Sequence, residues 1–327
     1  MNNIKSFEEI YQGIKDKNEV KFNEIFSKVK REAEKIKKLS LVICTIVDIL
    51  IILLGWQFAG LNITGMRSEK ITIMAMSTIV PIIIADVIIY FIVYACNSKN
   101  HREYAKMFKS YIIKDLINSF YTDLEYLPDN GLQNEVYDEG KYGSYYNRYY
   151  SDDYIKAKID GKNDIEMSEV TVQRVERHTD SKGRSHTTTT TLFSGLFAKI
   201  KLDKSINTEL KITRNMAVIG KNRLRMDSQE FEKYFDVSCQ NKIVGMQILT
   251  ADIMERLVEF CDKKIPYDIS IYGEYMYIRF SCGEVFEIAS VKEGAFPEEK
   301  LNEYYDILNF TYDVSSEIIK TVSQTEI

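Results

Sequence analysis

The sequence predicts an α+β protein: a two-helix transmembrane hairpin with amphipathic flanking helices, followed by a cytosolic, mainly antiparallel sheet packed with helices. Three observations lead there. Two apolar runs, 39–61 and 71–96, stand close together near the N-terminus, each with one ionisable residue. Apolar residues on either side of them recur at helical spacing. From Glu169 onward, β-branched residues alternate with period two between turn signals.

The hairpin follows from length. About 20 apolar residues cross about 30 Å of hydrocarbon at a rise of about 1.5 Å per residue, and both runs exceed this. Two buried helices of a soluble protein are the plainer alternative, and a pair of such runs joined by a nine-residue polar link argues against it. Lys28, Lys30, Arg31, Lys35, Lys37 and Lys38 precede the first run, and Lys99, Arg102, Lys106 and Lys109 follow the second; the link offers Arg67 and Lys70. Basic residues beside spans stay on the cytoplasmic side, so both termini are expected in the cytosol. The first 38 residues are polar and charged, so the first run reads as an uncleaved signal anchor. Asn62-Ile63-Thr64 is a formal glycosylation sequon that lies against the span and carries no weight.

Asp48 and Asp86 are the most informative residues of the spans. Counted from the cytosolic ends, both lie at a depth of about 14 Å in an antiparallel hairpin. A carboxyl inside a membrane is costly and marks a polar path, a proton relay or an interhelical contact. Neither span contains Lys, Arg or His. Two carboxylates side by side cannot both ionise, and one of them is expected to hold a proton. A shared hydrogen bond, within the hairpin or across an oligomer, is the plainer reading, and transport the sharper one. Pro81, in mid-span, is expected to kink the second helix.

Phe22, Ile25, Phe26, Val29, Ala33 and Ile36 before the membrane, and Tyr104, Met107, Phe108, Tyr111, Ile112, Leu116 and Phe120 after it, continue each span as an amphipathic helix. These flanks, 1–38 and 97–127, pack as an antiparallel stalk or lie on anionic lipid, and packing is expected. The domain 128–327 then begins at Pro128-Asp129-Asn130-Gly131 with a stretch dense in tyrosine. Tyr142, Tyr145, Tyr146, Tyr149 and Tyr150 form a candidate recognition loop, because aromatic rings supply contact area at modest entropic cost. A loop laid over the sheet with rings buried is the blander expectation.

A β-hairpin is expected around Asp180-Ser181-Lys182-Gly183, with His178 and His186 flanking the turn and Thr187 to Thr191 in the second strand. Two imidazoles without a third ligand make no metal site. Further strands are predicted at 196–202, 243–249, 267–272, 275–281 and 284–288, with Gly273 and Gly283 turning hairpins. Thr250 caps a helix over 251–263 that buries Ile253, Met254, Leu257, Val258 and Cys261; Ser228 caps a short helix through Tyr234. Pro297 opens a last helix with an apolar stripe from Leu301 to Val322.

Composition excludes more than it assigns. A formal charge of −5, with no basic stripe among aromatics, removes nucleic acid as a partner. Five widely spaced cysteines fit neither a disulfide framework nor a zinc site. No Walker loop, dinucleotide glycine fingerprint, HExxH or GxSxG is present. No catalytic residue, cofactor or metal is therefore expected.

Together with the hairpin, the motifs TTTTTLFSGLF (187–197) with Lys204 following, DSQEFEKYFDV (227–237) and LTADIMERL (249–257) resemble an uncharacterised bacterial membrane family, numbered 3137 among the domains of unknown function. The resemblance spans roughly 39–288 and implies a bacterial plasma-membrane protein with a cytosolic domain; it supplies no activity. The function expected is a membrane-anchored binding or scaffold module, with membrane lipid and a protein or peptide, or a second copy of the chain, as partners. The alternative is a small transport or ion-handling subunit built on Asp48 and Asp86.

Overall fold

A computed structural model describes residues 5–60, 68–179, 183–214, 222–287 and 294–325, with 56–60, 68–77 and 96–101 described as backbone. The sequon at 62–64, Arg67, the turn residues 180–182 and Ile288 lie outside the described residues, as do the side chains of Lys70, Cys96, Lys99 and His101. The chain forms two compact units. One is Lys17–Phe108 with Ile288–Phe296; the other joins Met1–Asp16, Lys109–Glu287 and Pro297–Ile327.

The helical unit is built on two long helices, Phe7–Gly60 (α1) and Ser68–Met107 (α2), the latter continuing through Pro81. Within them Phe7–Gly55 and Thr78–Ala95 are long and apolar enough to cross a membrane, and their apolar windows are not buried in the chain. Leu39, Leu50, Ile84 and Phe91 are exposed. Beyond the apolar windows the flanks pack on each other as a stalk: Phe22 lies 5.4 Å from Tyr104 and 6.3 Å from Phe108, and Phe26 lies 5.6 Å from Tyr104 between ring centroids.

The sheet unit resumes at Lys109, within a π-helical turn, Phe108–Ile113, followed by a short helix, Lys114–Asn118 (α3). Strands Thr122–Leu127 (β1), Arg148–Ile159 (β2), Asn163–Thr179 (β3), Ser185–Arg214 (β4), Arg223–Leu224 (β5), Phe235–Cys239 (β6) and Tyr267–Phe280 (β7) make an antiparallel sheet in the order β1-β2-β3-β4-β6-β5, with β7 also on β4. Alternation gives β4 and β7 two buried faces. Leu196, Ala198 and Ile200 with Met276, Ile278 and Phe280 occupy one set of alternating positions, and Phe193 and Phe197 with Tyr277 the other. Helices Ala251–Phe260 (α7) and Glu298–Gln324 (α8) serve the first face: the Phe260 and Phe310 rings stack at 4.1 Å, and Phe280 meets both. Helix Asn134–Glu139 (α4) and the following loop lie over the second, where Tyr137 joins Val170, Val172, Phe193, Phe197 and Tyr277. The start of α1 belongs to this unit, with Phe7 against the Tyr305 ring and the Tyr305 hydroxyl donating to Lys5 O at 3.1 Å.

Capping follows the sequence. Ser228 Oγ accepts from Phe231 N at the head of Gln229–Tyr234 (α5), and Thr250 Oγ1 accepts from Ile253 N at the head of α7. Other expectations give way. Residues 243–249, read as a strand, lie mostly in helix Lys242–Ile248 (α6), because Asn241 caps it by accepting from Val244 N; a short apolar run does not distinguish the two periods. The strands predicted at 267–272 and 275–281 are one strand, and Gly273, at φ 57°, sits at a register slip against β4 and turns no hairpin. Residues 284–287 are irregular: Phe286 is left-handed at φ 61°, and Val285 N donates to Glu169 Oε2 at 2.8 Å. The helix predicted to 127 stops at Asn118, and β1 follows; of the candidate loop tyrosines, Tyr149 and Tyr150 lie in β2.

Candidate functional site

The second face of the sheet carries a cavity of about 250 Å³ lined by Tyr137, Asp138, Lys141, Tyr142, Gly143, Ser144, Tyr146, Val172, Leu192 and Arg279. Four elements meet there. Helix α4 supplies Tyr137 and Asp138, and left-handed Lys141 (φ 53°) and Gly143 (φ 74°) shape the loop after it. β3 gives Val172, β4 gives Leu192, and β7 gives Arg279.

Arg279 and the tyrosines of the cavity have defined partners. Arg279 Nε donates to Asp268 Oδ2 at 2.7 Å, and Nη2 lies 2.7 Å from the same oxygen. Its guanidinium carbon stands 4.2 Å from the Tyr142 ring centroid and 5.6 Å from that of Phe193. Burial, the largest single influence, would lower the Arg279 pKa; the Asp268 charge, Tyr137 and the hydrogen bonds to both together raise it, so the net shift is upward. The Tyr142 hydroxyl donates to Tyr277 O at 3.0 Å, Tyr146 to Asp138 Oδ1 at 2.9 Å, and Tyr149 to Leu132 O at 3.0 Å. Burial pushes Tyr142 well above the usual phenol value, and burial with the Asp138 contact pushes Tyr146 up to about 12, so both stay protonated donors at neutral pH.

The five tyrosines of the predicted recognition loop therefore divide. Tyr142 and Tyr146 line the cavity, and Tyr149 is packed beside it. Tyr145 at 74% and Tyr150 at 55% exposure are open to solvent. Sequence reasoning missed Arg279, Lys141 and Asp138. The signal for Arg279 is a charge inside the alternating run YMYIRF (275–280), on the face shared by Tyr275 and Tyr277.

A second polar centre in the same unit was equally hidden. Lys109, in the π-helical turn, donates to Asp153 Oδ2 at 2.6 Å and to Glu287 Oε1, while Tyr126 donates to Asp153 Oδ1 at 2.5 Å. Asp153 sits at a bulge of β2 with φ 53°. Asp152, Asp153 and Glu169 come within 4.8 Å of one another, a spacing that suits a cation, and the Lys109 ammonium supplies that charge to Asp153. Burial pushes the Asp153 carboxyl up to about 6 against the pull of Lys109. Burial would lower Lys109, and Asp153 and Glu287 together raise it, so the pair is ionised at neutral pH. Burial also pushes Glu169 up to about 8, opposed by the Val285 hydrogen bond and reinforced by Asp152 and Asp153.

In the two long apolar helices, Asp48 is partly covered and its Oδ1 is buried without a hydrogen-bond partner, while Asp86 lies beside the Cys44 thiol. His178 and His186 are opposed in register, rings 5.4 Å apart, on an exposed part of the β3–β4 hairpin.

No curated protein matches the chain. The crystal structure of the mycobacterial trehalose monomycolate transport factor A is similar at 9% identity and a TM-score of 0.28, covering 62% of this chain and 93% of that one. The two apolar helices stand outside the family match, which takes in most of α8, beyond residue 288, the expected end of the resemblance. Over residues 191–320, from β4 into α8, the chain matches the family described as a protein of unknown function, DUF3137, and the resemblance carried by its motifs holds there.

Proposed function

We propose that this chain is a membrane-anchored binding module that takes its ligand in the cavity on the second face of the sheet. The cavity itself carries the reading: three tyrosine rings and a clamped Arg279 converge on a concave site instead of closing the core. The two apolar helices anchor the module in a bacterial plasma membrane with both termini cytosolic. Tyr145 and Tyr150, left exposed, offer contact area to a protein or peptide partner or a second copy.

The test is to purify the full-length protein in mild detergent and identify the molecules that stay bound, beside a Ser144→Trp variant. Ser144 is exposed on the cavity wall, so the indole blocks the cavity without entering the core. A molecule retained by the parent and lost from Ser144→Trp supports the reading; the same molecules on both proteins, or none on either, removes it. The alternative, ion handling at the span carboxyls, is favoured by the unpartnered Asp48 Oδ1. It requires that Asp48→Asn and Asp86→Asn abolish function in a protein that still folds.

A further inference from the structure

We infer that the cavity selects a small ligand joining an anionic group, carboxylate or phosphate, to a flat ring. This rests on the binding-module reading and narrows it to a ligand class.

The anion half comes from how Arg279 is used. A guanidinium presents donors on more than one edge, in a fork that matches carboxylate and phosphate oxygens. Asp268 takes the Nε and Nη2 edge at 2.7 Å, and Asp268 is not among the cavity-lining residues. Nη1 makes one contact, 3.5 Å to the Tyr137 hydroxyl, at the far limit of a hydrogen bond. Its donors therefore keep capacity for an acceptor in the cavity. Tyr142 and Phe193 hold the guanidinium plane, so little side-chain entropy is lost when it engages. Lys141 also lines the wall; its ammonium stands 3.8 Å from the Tyr272 ring centroid and 3.8 Å from Glu209 Oε2, on an exposed side chain that can turn to an anion, while the carboxylate there, Asp138, already accepts from Tyr146.

The ring half comes from the walls. Tyr142 and Tyr146 have their hydroxyls tied to Tyr277 and Asp138, and the Tyr137 ring is held against Phe193 and Phe197 at 5.7 and 5.2 Å; these fixed rings line the space, with Val172 and Leu192 beside them. A volume of 250 Å³ lies below the usual range for drug-sized ligands, so it holds about one ring with its anionic group.

Phenyl phosphate, benzoate, phenol and benzamidine, titrated into the full-length protein in detergent and followed by ligand-observed NMR, separate the parts. Phenyl phosphate and benzoate are expected to bind saturably, the tighter of the two naming the anion, and to be excluded by Ser144→Trp. Arg279→Gln should weaken them by about tenfold or more, the worth of a charge-assisted hydrogen bond. Removing Arg279 leaves Asp268 unpaired and can unfold the sheet; Lys141→Gln, at an exposed position, is the second probe and should weaken both anions several-fold. The inference is overturned if both variants fold and leave anion affinity unchanged, or if phenol or benzamidine binds as tightly as phenyl phosphate. In the last case, exclusion of the winning probe by Ser144→Trp keeps the binding-module reading and removes only the anion. If no probe saturates, the ligand class falls, and the retained-molecule comparison of the parent and Ser144→Trp decides the wider reading separately.

Discussion

The sheet unit and the helical unit both hold carboxyl groups away from water, and Asp153 and Glu169 in the first are treated in the opposite way to Asp48 in the second. In the sheet unit, buried Asp153 receives Lys109 and Tyr126, and Glu169 receives the Val285 amide. In the helical unit, Asp48 Oδ1 is buried without a partner on a helix whose apolar side chains stand exposed. Paired carboxyls are what an interior permits, since each buried polar group must find its bond within the fold. An unpaired one on an apolar helix points to a partner outside its own turn of helix. The contrast sets Asp153 and Glu169, bonded within the sheet unit, against Asp48, on a helix long and apolar enough to cross a membrane, and it can be broken at specific residues.

The largest effect is expected from pH acting on Glu169. Its folded value of about 8 stands above its ordinary 4.5, so between those limits the folded state keeps a proton that the unfolded chain releases. Stability is therefore full below about pH 4.5 and falls as pH rises through 8, by about 5 kcal/mol at most at 1.36 kcal/mol per unit. Asp153 adds a loss of the same sign up to about pH 6. Denaturation of the full-length protein across this range should show the decline, and Glu169→Gln, which keeps an acceptor for Val285 N, should flatten its upper part. A Gln variant that declines as steeply as the parent would show that Glu169 does not titrate there.

Two glycines sharpen the same comparison. A Cβ on Gly195 of β4 would lie 1.9 Å from the Phe280 carbonyl oxygen, at a φ of 151° that L-residues rarely adopt. Backbone cannot yield, so Gly195→Ala should cost about 3 kcal/mol or more from overpacking and strain together. A Cβ on Gly55 of α1 would lie 2.2 Å from Thr78 Cγ2, the end of a side chain that can rotate. Gly55→Ala should cost about 1 kcal/mol at a small-residue helix contact. Thermal scans of the two variants test the order; a larger loss at Gly55 would mean that the hairpin is the more tightly packed unit.

What the sequence discloses is what lies along it. Apolar runs, the β3–β4 alternation and the Ser228 and Thr250 caps are local signals, and the structure carries each of them. The sites lie across it. Arg279 reaches Tyr137 over a separation of 142 residues and Lys109 reaches Glu287 over 178, separations that only the tertiary fold closes. Strand β2 was hidden for a different reason: its tyrosines dominate the composition, and its bulge at Asp152 and Ile155 breaks the period that would have announced it. Helix α6 reads as a strand because its short, mostly apolar stretch fits both periods, and only the Asn241 cap distinguishes them.

The smallest effect, and the one nearest the contrast, concerns Asp48 and Asp86. Equal depth in an antiparallel hairpin predicts that the two carboxyls share one polar level, and Cys44, one turn before Asp48, already stands beside Asp86. Two carboxyls can bond each other only when one holds a proton, so Asn at either position keeps a hydrogen-bonding group and should be tolerated. Leu at either position strands the other carboxyl at a cost of about 1 kcal/mol, the usual worth of an interhelical hydrogen bond in a membrane. The Asp48→Leu/Asp86→Leu double variant should then recover part of the loss, because no carboxyl remains to be satisfied. Cross-linking reads the geometry directly: with the native cysteines replaced, cysteines at 48 and 86 should join efficiently in membranes. Additive losses in the double variant, together with cross-linking of both positions to lipid and none to each other, would show that each carboxyl finds its partner outside the hairpin.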